Sequence, residues 1–313
     1  MIEAATATTD ALLREGVERL RLAGSETARL DAEVLIADVL GVGRTVVLAH
    51  PKAPVDIEAT ASYRAAIERR AGGEPVAYIR GVKEFLGLAF AVDRRALIPR
   101  PETERLVELA VAEVSRRLAA DSRAADADSR AADAAPIRIV DVGTGSGAVV
   151  VALAVVLRER GALAATALEA RDWSDEALHL ARENALGHAV ADAIAFDQAD
   201  LLTSGGGAAR PPFDLVLANL PYVRHDALAG LPVATSFEPV LALDGGVDGL
   251  AVIERLLTQL PNALAAGGLA LLEIGADQGA AIVERCDRLL PGWRCTVEPD
   301  LAGLPRVARI ARA

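Results

Sequence analysis

The chain has 313 residues, 52% of them hydrophobic and 3% aromatic, with a formal net charge of −11 at pH 7. That length is the natural span of two domains. Basic residues are almost all arginine, Lys52 and Lys83 being the only lysines, and no basic stripe with interleaved aromatics is visible, so no direct contact with nucleic acid is expected. No run of about 18 uninterrupted apolar residues argues for a membrane span. The N-terminal stretch carries acidic residues and no basic segment before an apolar core, unlike a secretory signal, so a cytoplasmic protein is expected. Cys286 and Cys295, with His50, His179, His188 and His225, match no metal-ligand spacing. The expectation is two thiols and no metal.

In chain order, residues 10–72 read as successive helices. "DALLREGVERLRLAG" ends at Gly24; "SETARLDAEVLIADVLG" has Ser25 as its N-cap candidate and Gly41 as its stop; "DIEATASYRAAIERRAGG" repeats the pattern. No catalytic constellation appears there, and a packing or recognition role is the expectation. After Gly72-Gly73, short β-type runs separated by Gly81 and Gly87 suggest a hairpin. A helix begins at "IPRPETERLVE", near Pro101 and Glu102. Residues 121–127 and 128–134 are two copies of Asp-Ser-Arg-Ala-Ala-Asp-Ala, too few for a solenoid and read as a polar connector. "SGGGAARPP" at 204–212 reads as a second insert. From 137 onward, β-type and helical patterns alternate, which predicts an α/β fold with a mainly parallel sheet. Ligands of such sheets sit beyond the strands' carboxyl ends.

Two loops stand out chemically. Gly143-Thr144-Gly145-Ser146-Gly147 follows the strand "IRIVDV", where closely spaced glycines let a ligand approach backbone N–H groups at a helix start. The third glycine comes too early for a dinucleotide fingerprint, and a P-loop lysine is missing. The second loop, Asn219-Leu220-Pro221-Tyr222, follows "FDLVLA". It reads either as ordinary turn chemistry or as a cradle for a small planar group.

The pattern Asp-x-Gly-x-Gly-x-Gly beginning at Asp141 resembles the cofactor loop of class I S-adenosylmethionine-dependent methyltransferases. That resemblance implies an acid at the next strand end for the ribose hydroxyls, Asp172 or its rival Glu169. It also implies Asp200 and Leu201 at the third strand end for the adenine. Asn219-Leu220-Pro221-Tyr222 is similar to the Asn-Pro-Pro-Tyr motif of methyltransferases that alkylate planar nitrogen, with Leu220 in place of the usual Pro. By that resemblance Asn219 and the Leu220 carbonyl accept the substrate's N–H groups and Tyr222 stacks on it.

The stretches "RLDAEVLIADVLG", "IPRPETE" and "EPVLALDGG" resemble the PrmC/HemK family of release factor glutamine methyltransferases, from about residue 10 to the C-terminus. The resemblance implies an N-terminal helical recognition domain (1–80), a β-hairpin linker (81–98) and a Rossmann-like methyltransferase domain (99–313). The implied cofactor is S-adenosylmethionine and the implied partner a class 1 peptide chain release factor, methylated on the Gln of its Gly-Gly-Gln motif. Arg100, Glu102, Glu238 and Pro239 are candidates for shaping the cofactor channel or substrate side, or for a plain helix entry. Two rivals stand beside this reading. One is an adenine amino methyltransferase, which should bring a target-recognition domain and basic grooves. The other is a catalytically silent S-adenosylmethionine-binding scaffold.

Overall fold

The computed structural model describes residues 7–127, 135–203 and 211–313. The second copy of the heptapeptide and residues 204–210 of the glycine-rich insert lie outside them. The chain divides into two compact units, one of residues 1–82 with 232–237, the other of 83–231 with 238–313.

In the first unit, β1 (Ala7–Thr8) pairs with β2 (Pro54–Val55), and α1 (Thr9–Leu22), α2 (Ala28–Val39), α3 (Arg44–Ala49), α4 (Ile57–Ala71) and α5 (Val76–Arg80) follow the helical periodicity of the sequence. Thr8 and Asp56 cap α1 and α4 by accepting the backbone N–H groups of Ala11 and Ala59. Leu12, Leu20, Leu35, Ile36, Tyr63 and Ile67 form the buried centre of this unit. Ser25, expected as the N-cap of α2, lies before its first turn; its hydroxyl, like that of Thr27, instead donates to the Asp31 carboxylate.

A hairpin follows, β3 (Val82–Phe85) and β4 (Leu88–Ala91), which belongs to the second unit from Lys83 onward. Its turn residues Leu86 and Gly87 both have positive φ, 49° and 73°, the geometry that matches the twist of a two-residue hairpin. A short turn of 3₁₀ helix at Pro101–Thr103 leads into α6 (Glu104–Ala127), which takes in the first copy of the repeat. Then come β5 (Ile137–Val142), α7 (Ala148–Glu159), β6 (Thr166–Asp172), α8 (Asp175–Gly187), β7 (Ile194–Gln198), β8 (Phe213–Ala218), α9 (Ala251–Ala263), β9 (Leu264–Glu273), α10 (Gly279–Leu289), β10 (Trp293–Pro299) and β11 (Pro305–Arg312).

The seven strands β5–β11 form one sheet in the order β10-β11-β9-β8-β5-β6-β7, with only β11 antiparallel to its neighbours. Strands β6 and β7 step outward from β5 toward one edge, while β9 lies on the other side of β8. Right-handed crossovers therefore place α7 and α8 on one face and α9 on the other. Val140, Val142, Val216, Ala218 and Leu272 pack with Leu256, Leu260 and Ile282 of α9 and α10 beneath that second face. Helix α7, "AVVVALAVVLRE", is buried nearly all round, as its unbroken apolar run requires. The result is the α/β fold with a mainly parallel sheet that the alternation predicts. Cys286 and Cys295 are free thiols, and no described helix is long and apolar enough to cross a membrane.

Candidate active site

Strand order reverses at β5 and β8, so a crevice opens where these neighbours end. Val142 pairs with Ala218, and the very next residues are Gly143 on one strand and Asn219 on the other. The two loops singled out in the sequence are thus brought side by side.

The glycine loop turns back under β6: the Gly143 and Thr144 N–H groups both donate to the Arg171 carbonyl, at 2.8 and 2.9 Å. Gly143, Gly145 and Gly147 have φ of 72°, 55° and 78°, a region that other residues enter only with strain. A Cβ on Gly143 would lie 2.9 Å from Leu220 Cδ2, and one on Gly147 3.0 Å from the Ala181 Cβ. Bare backbone is therefore required on both sides of the loop. Asp141, 2% exposed, takes the Thr144 hydroxyl at 2.7 Å. Burial pushes its carboxyl up to about 7, partly offset by the Thr144 bond. Ser146 is held through its carbonyl, which accepts from Asn184 Nδ2 of α8 at 2.9 Å. The same Asn184 amide bonds both ways with Ala91 of β4.

Asp172 sits at the end of β6. Its Oδ2 accepts the Gly145 N–H and its Oδ1 the Ser174 N–H, both at 2.9 Å. Burial raises its pKa, and these backbone donors work against the rise. Trp173 beside it is 68% exposed. Glu169 lies back inside the strand, paired in register with Val140 and Ala195. Its Oε1 is bonded to buried Arg171 at 2.6 Å. Asp200, two residues beyond β7, forms an ion pair with Arg255, and Leu201 is buried with a positive φ of 57°.

At the second loop, Asn219 Nδ2 donates to Thr103 Oγ1 at 3.0 Å. Neither Asn219 Oδ1 nor the Leu220 carbonyl accepts a hydrogen bond among the described residues. Leu220 is 4% exposed, its side chain sealed against Gly143. The Tyr222 hydroxyl donates to Glu273 Oε1 at 3.3 Å, and the Tyr222 carbonyl accepts from Gln278 Nε2 at 3.0 Å. A Cβ on Gly245 would meet the Pro221 carbonyl at 2.8 Å, so the first glycine of "LDGG" lies directly on this loop. Glu273, 1% exposed, is pushed up to about 7 by burial. The Thr103 hydroxyl facing it, Arg306 and Tyr222 oppose the rise; Glu102 adds to it. Its Oε2 has no well-aligned hydrogen bond among the described residues. Burial, then Glu273, lifts the Tyr222 phenol to about 12.

Arg100 and Glu238, from the two other motifs, pair with each other at 2.6 Å, and Glu238 Oε2 takes the Ile98 N–H at 3.0 Å. Among the described residues neither Glu102 nor Pro239 makes a comparable side-chain bond, and Glu102 is exposed. Sequence reasoning passed over Thr103, Asn184, Glu273 and Gln278. The signal for Glu273 was present: a lone acid in the apolar strand "GLALLEIG". No cluster of three His, Cys, Asp or Glu suited to a metal occurs among the described residues.

Residues 11–81 match the family model for the PrmC N-terminal domain. A release factor glutamine methyltransferase of Deinococcus radiodurans is 35% identical over 302 residues, 96% of this chain and 98% of that protein. The enzyme of the same name from Moorella thermoacetica is 38% identical over 295 residues, covering 94% and 95%. That of Escherichia coli is 35% identical over 270 residues, covering 86% and 87%. Among solved structures, the hMettl16 catalytic domain in complex with the MAT2A 3′UTR hairpin 6 superposes with a TM-score of 0.52 at 13% identity, over 85% of each chain. At that identity it speaks to the fold alone. Similarity along nearly the whole length, together with the paired loops at the sheet's switch point, makes this chain an enzyme of the release factor glutamine methyltransferase family.

Proposed function

We propose that the chain transfers a methyl group from S-adenosylmethionine to the side-chain amide nitrogen of the Gln in the Gly-Gly-Gln motif of class 1 peptide chain release factors. The observation that carries this reading is the pair of acceptors, Asn219 Oδ1 and the Leu220 carbonyl, which take no hydrogen bond among the described residues and lie just past the β5–β8 pairing, beside the glycine loop.

The residues suit the cofactor. Three glycines at positive φ leave a backbone-lined cradle that a Cβ would fill, and Asp172 stands at the adjoining strand end. Gly143, Thr144, Gly145, Ser146 and Gly147 would hold its amino-acid part, Asp172 the ribose, and Asp200 with Leu201 the adenine. When bound, it supplies a methyl group activated by a positively charged sulfur.

An amide nitrogen is a weak nucleophile because its lone pair is delocalised into the carbonyl. Asn219 Oδ1 and the Leu220 carbonyl accept its two N–H groups, which orients the nitrogen and meets the positive charge it develops. Leu220 in place of Pro keeps the needed carbonyl, and Pro221 biases it to an extended backbone. Tyr222 offers a ring for the planar group to stack on. No base is needed before transfer, since the proton can leave afterwards.

We assign docking of the folded factor to the N-terminal helical domain (1–80), where Leu22, Val46, Leu48 and Ile57 expose apolar side chains and no catalytic cluster competes for that role. The test is full-length protein with methyl-labelled S-adenosylmethionine and, separately, a bacterial class 1 release factor, its Gly-Gly-Ala variant, DNA and RNA. Label should enter only the intact factor, on the Gln. Label in nucleic acid, or equal label in the Gly-Gly-Ala variant, replaces this reading.

A further inference from the structure

A side-chain amide has two ends of nearly equal shape and opposite hydrogen-bonding character. The reading above needs Asn219 to present oxygen to the substrate; the NH₂ end would confront the substrate's own N–H groups. Nothing in the Asn219 residue itself makes that choice.

Its neighbours do. Asn219 Nδ2 lies 3.0 Å from Thr103 Oγ1. Thr103 is 3% exposed, so its hydroxyl cannot turn to bulk water. Behind it stands Glu273, 1% exposed at the end of β9, whose Oε2 lacks a partner among the described residues and whose raised pKa the Thr103 hydroxyl opposes. An ionised carboxylate only accepts hydrogen bonds. Thr103 must then spend its single proton on Glu273 and keep its lone pairs for Asn219. Only the NH₂ end of Asn219 satisfies that demand. The same carboxylate takes the Tyr222 hydroxyl at 3.3 Å, so one buried acid steadies both ends of the four-residue loop.

We infer that Thr103 and Glu273 are positioning residues that fix the Asn219 amide with Oδ1 toward the substrate, making the site selective for a nitrogen that carries two hydrogens. This rests on the function proposed above. It also ties the motif "IPRPETE" to the reaction through Thr103, a residue that never touches substrate.

The chain reverses when Glu273 takes a proton. A neutral carboxyl can donate to Thr103, which can then donate to Asn219 and admit the wrong end of the amide. The groups facing Glu273 are Thr103 and Glu102 ahead of α6, Tyr222 after β8 and Arg306 of β11. Burial outweighs them and lifts the acid to about 7. Methyl transfer should therefore rise through neutral pH as Glu273 ionises.

Two measurements test this. In the release-factor assay, Thr103→Val keeps shape and removes the hydroxyl; it should lower kcat at least tenfold while leaving the KM for S-adenosylmethionine unchanged. Thr103→Ser should recover most of the loss, and Glu273→Gln should abolish the rise through neutral pH. Wild-type kcat in Thr103→Val, equal damage in Thr103→Ser, or an unchanged pH profile in Glu273→Gln would overturn the inference. The second measurement needs no substrate. The sequence has three asparagines, Asn184, Asn219 and Asn262, so asparagine-selective ¹⁵N labelling gives three side-chain NH₂ pairs, with Asn219→Ala identifying one by its loss. In the wild type that pair should be slow to exchange and should shift with pH near neutrality; in Thr103→Val it should do neither. A pair indifferent to Thr103 and to pH overturns the relay even if the protein methylates some other substrate, whereas a titrating pair in a protein inert toward release factors upholds the relay and removes only the substrate.

Discussion

Asn219→Ala removes one of the two proposed acceptors and nothing that the glycine loop leans on. Methyl transfer should fall by roughly a hundred- to a thousandfold, about 3–4 kcal/mol, with S-adenosylmethionine affinity nearly unchanged by calorimetry. Asp172 behaves differently. Its carboxylate already caps Gly145 and Ser174, so Asp172→Ala would loosen the loop as well as remove the proposed ribose acceptor. Asp172→Asn is the cleaner probe, since its single oxygen can keep one of those backbone bonds. It should weaken cofactor binding about tenfold or more through the loss of charge-assisted bonds, and exposed Trp173 offers a fluorescence readout alongside. Unchanged affinity would detach Asp172 from the cofactor. At this scale Asn219 and the glycines were legible because each motif is contiguous. Thr103 and Gln278 were not, because 116 residues separate Thr103 from Asn219 and 56 separate Gln278 from Tyr222. Only the sheet brings them together.

Elements follow the sequence where periodicity is strong and part from it where tertiary contacts decide. Strands β5, β8, β10 and β11 and helix α8 coincide with the segments "IRIVDV", "FDLVLA", "WRCTVEP", "PRVARIAR" and "DEALHLARENALG". Strand β6 runs on to Asp172, and the carbonyl of its Arg171 holds the Gly143 and Thr144 N–H groups. The start of α7 is the most exacting junction. Gly147 combines a φ of 78° with close approach to Ala181 of α8. Gly147→Val should therefore strain the backbone and push α7 and α8 apart together. A loss of about 2–4 kcal/mol is expected from strain plus overpacking, readable as a lower midpoint in urea. Gly161→Val, at a similar φ of 69° but with open space around it, should cost less.

For the molecule as a whole, the buried acids of the site set a pH signature. Glu273 has its folded pKa raised from 4.5 to about 7. Such a group stabilises the fold below its unfolded pKa, and that contribution is lost as pH rises through the folded value. Glu273→Gln should therefore gain stability relative to wild type between about pH 4.5 and 7, reaching on the order of 3 kcal/mol above neutrality. Thermal unfolding of both proteins across that range checks it; a pH-independent difference would show that Glu273 is not buried as a titrating acid. A more stable yet slower enzyme is the expected result, a trade familiar at functional sites. A second whole-molecule feature concerns the order of synthesis. Residues 232–237 belong to the N-terminal unit although their chain neighbours do not, and Gly73 lies close against Val233 and Phe237. A ribosome releases residue 82 long before residue 237. At ordinary elongation speeds the first unit would wait roughly 10–30 s for its last piece. The nascent N-terminal helices should accordingly be clients of chaperones during that interval, and a 1–82 fragment should gain protease resistance when a peptide of residues 232–237 is added to it.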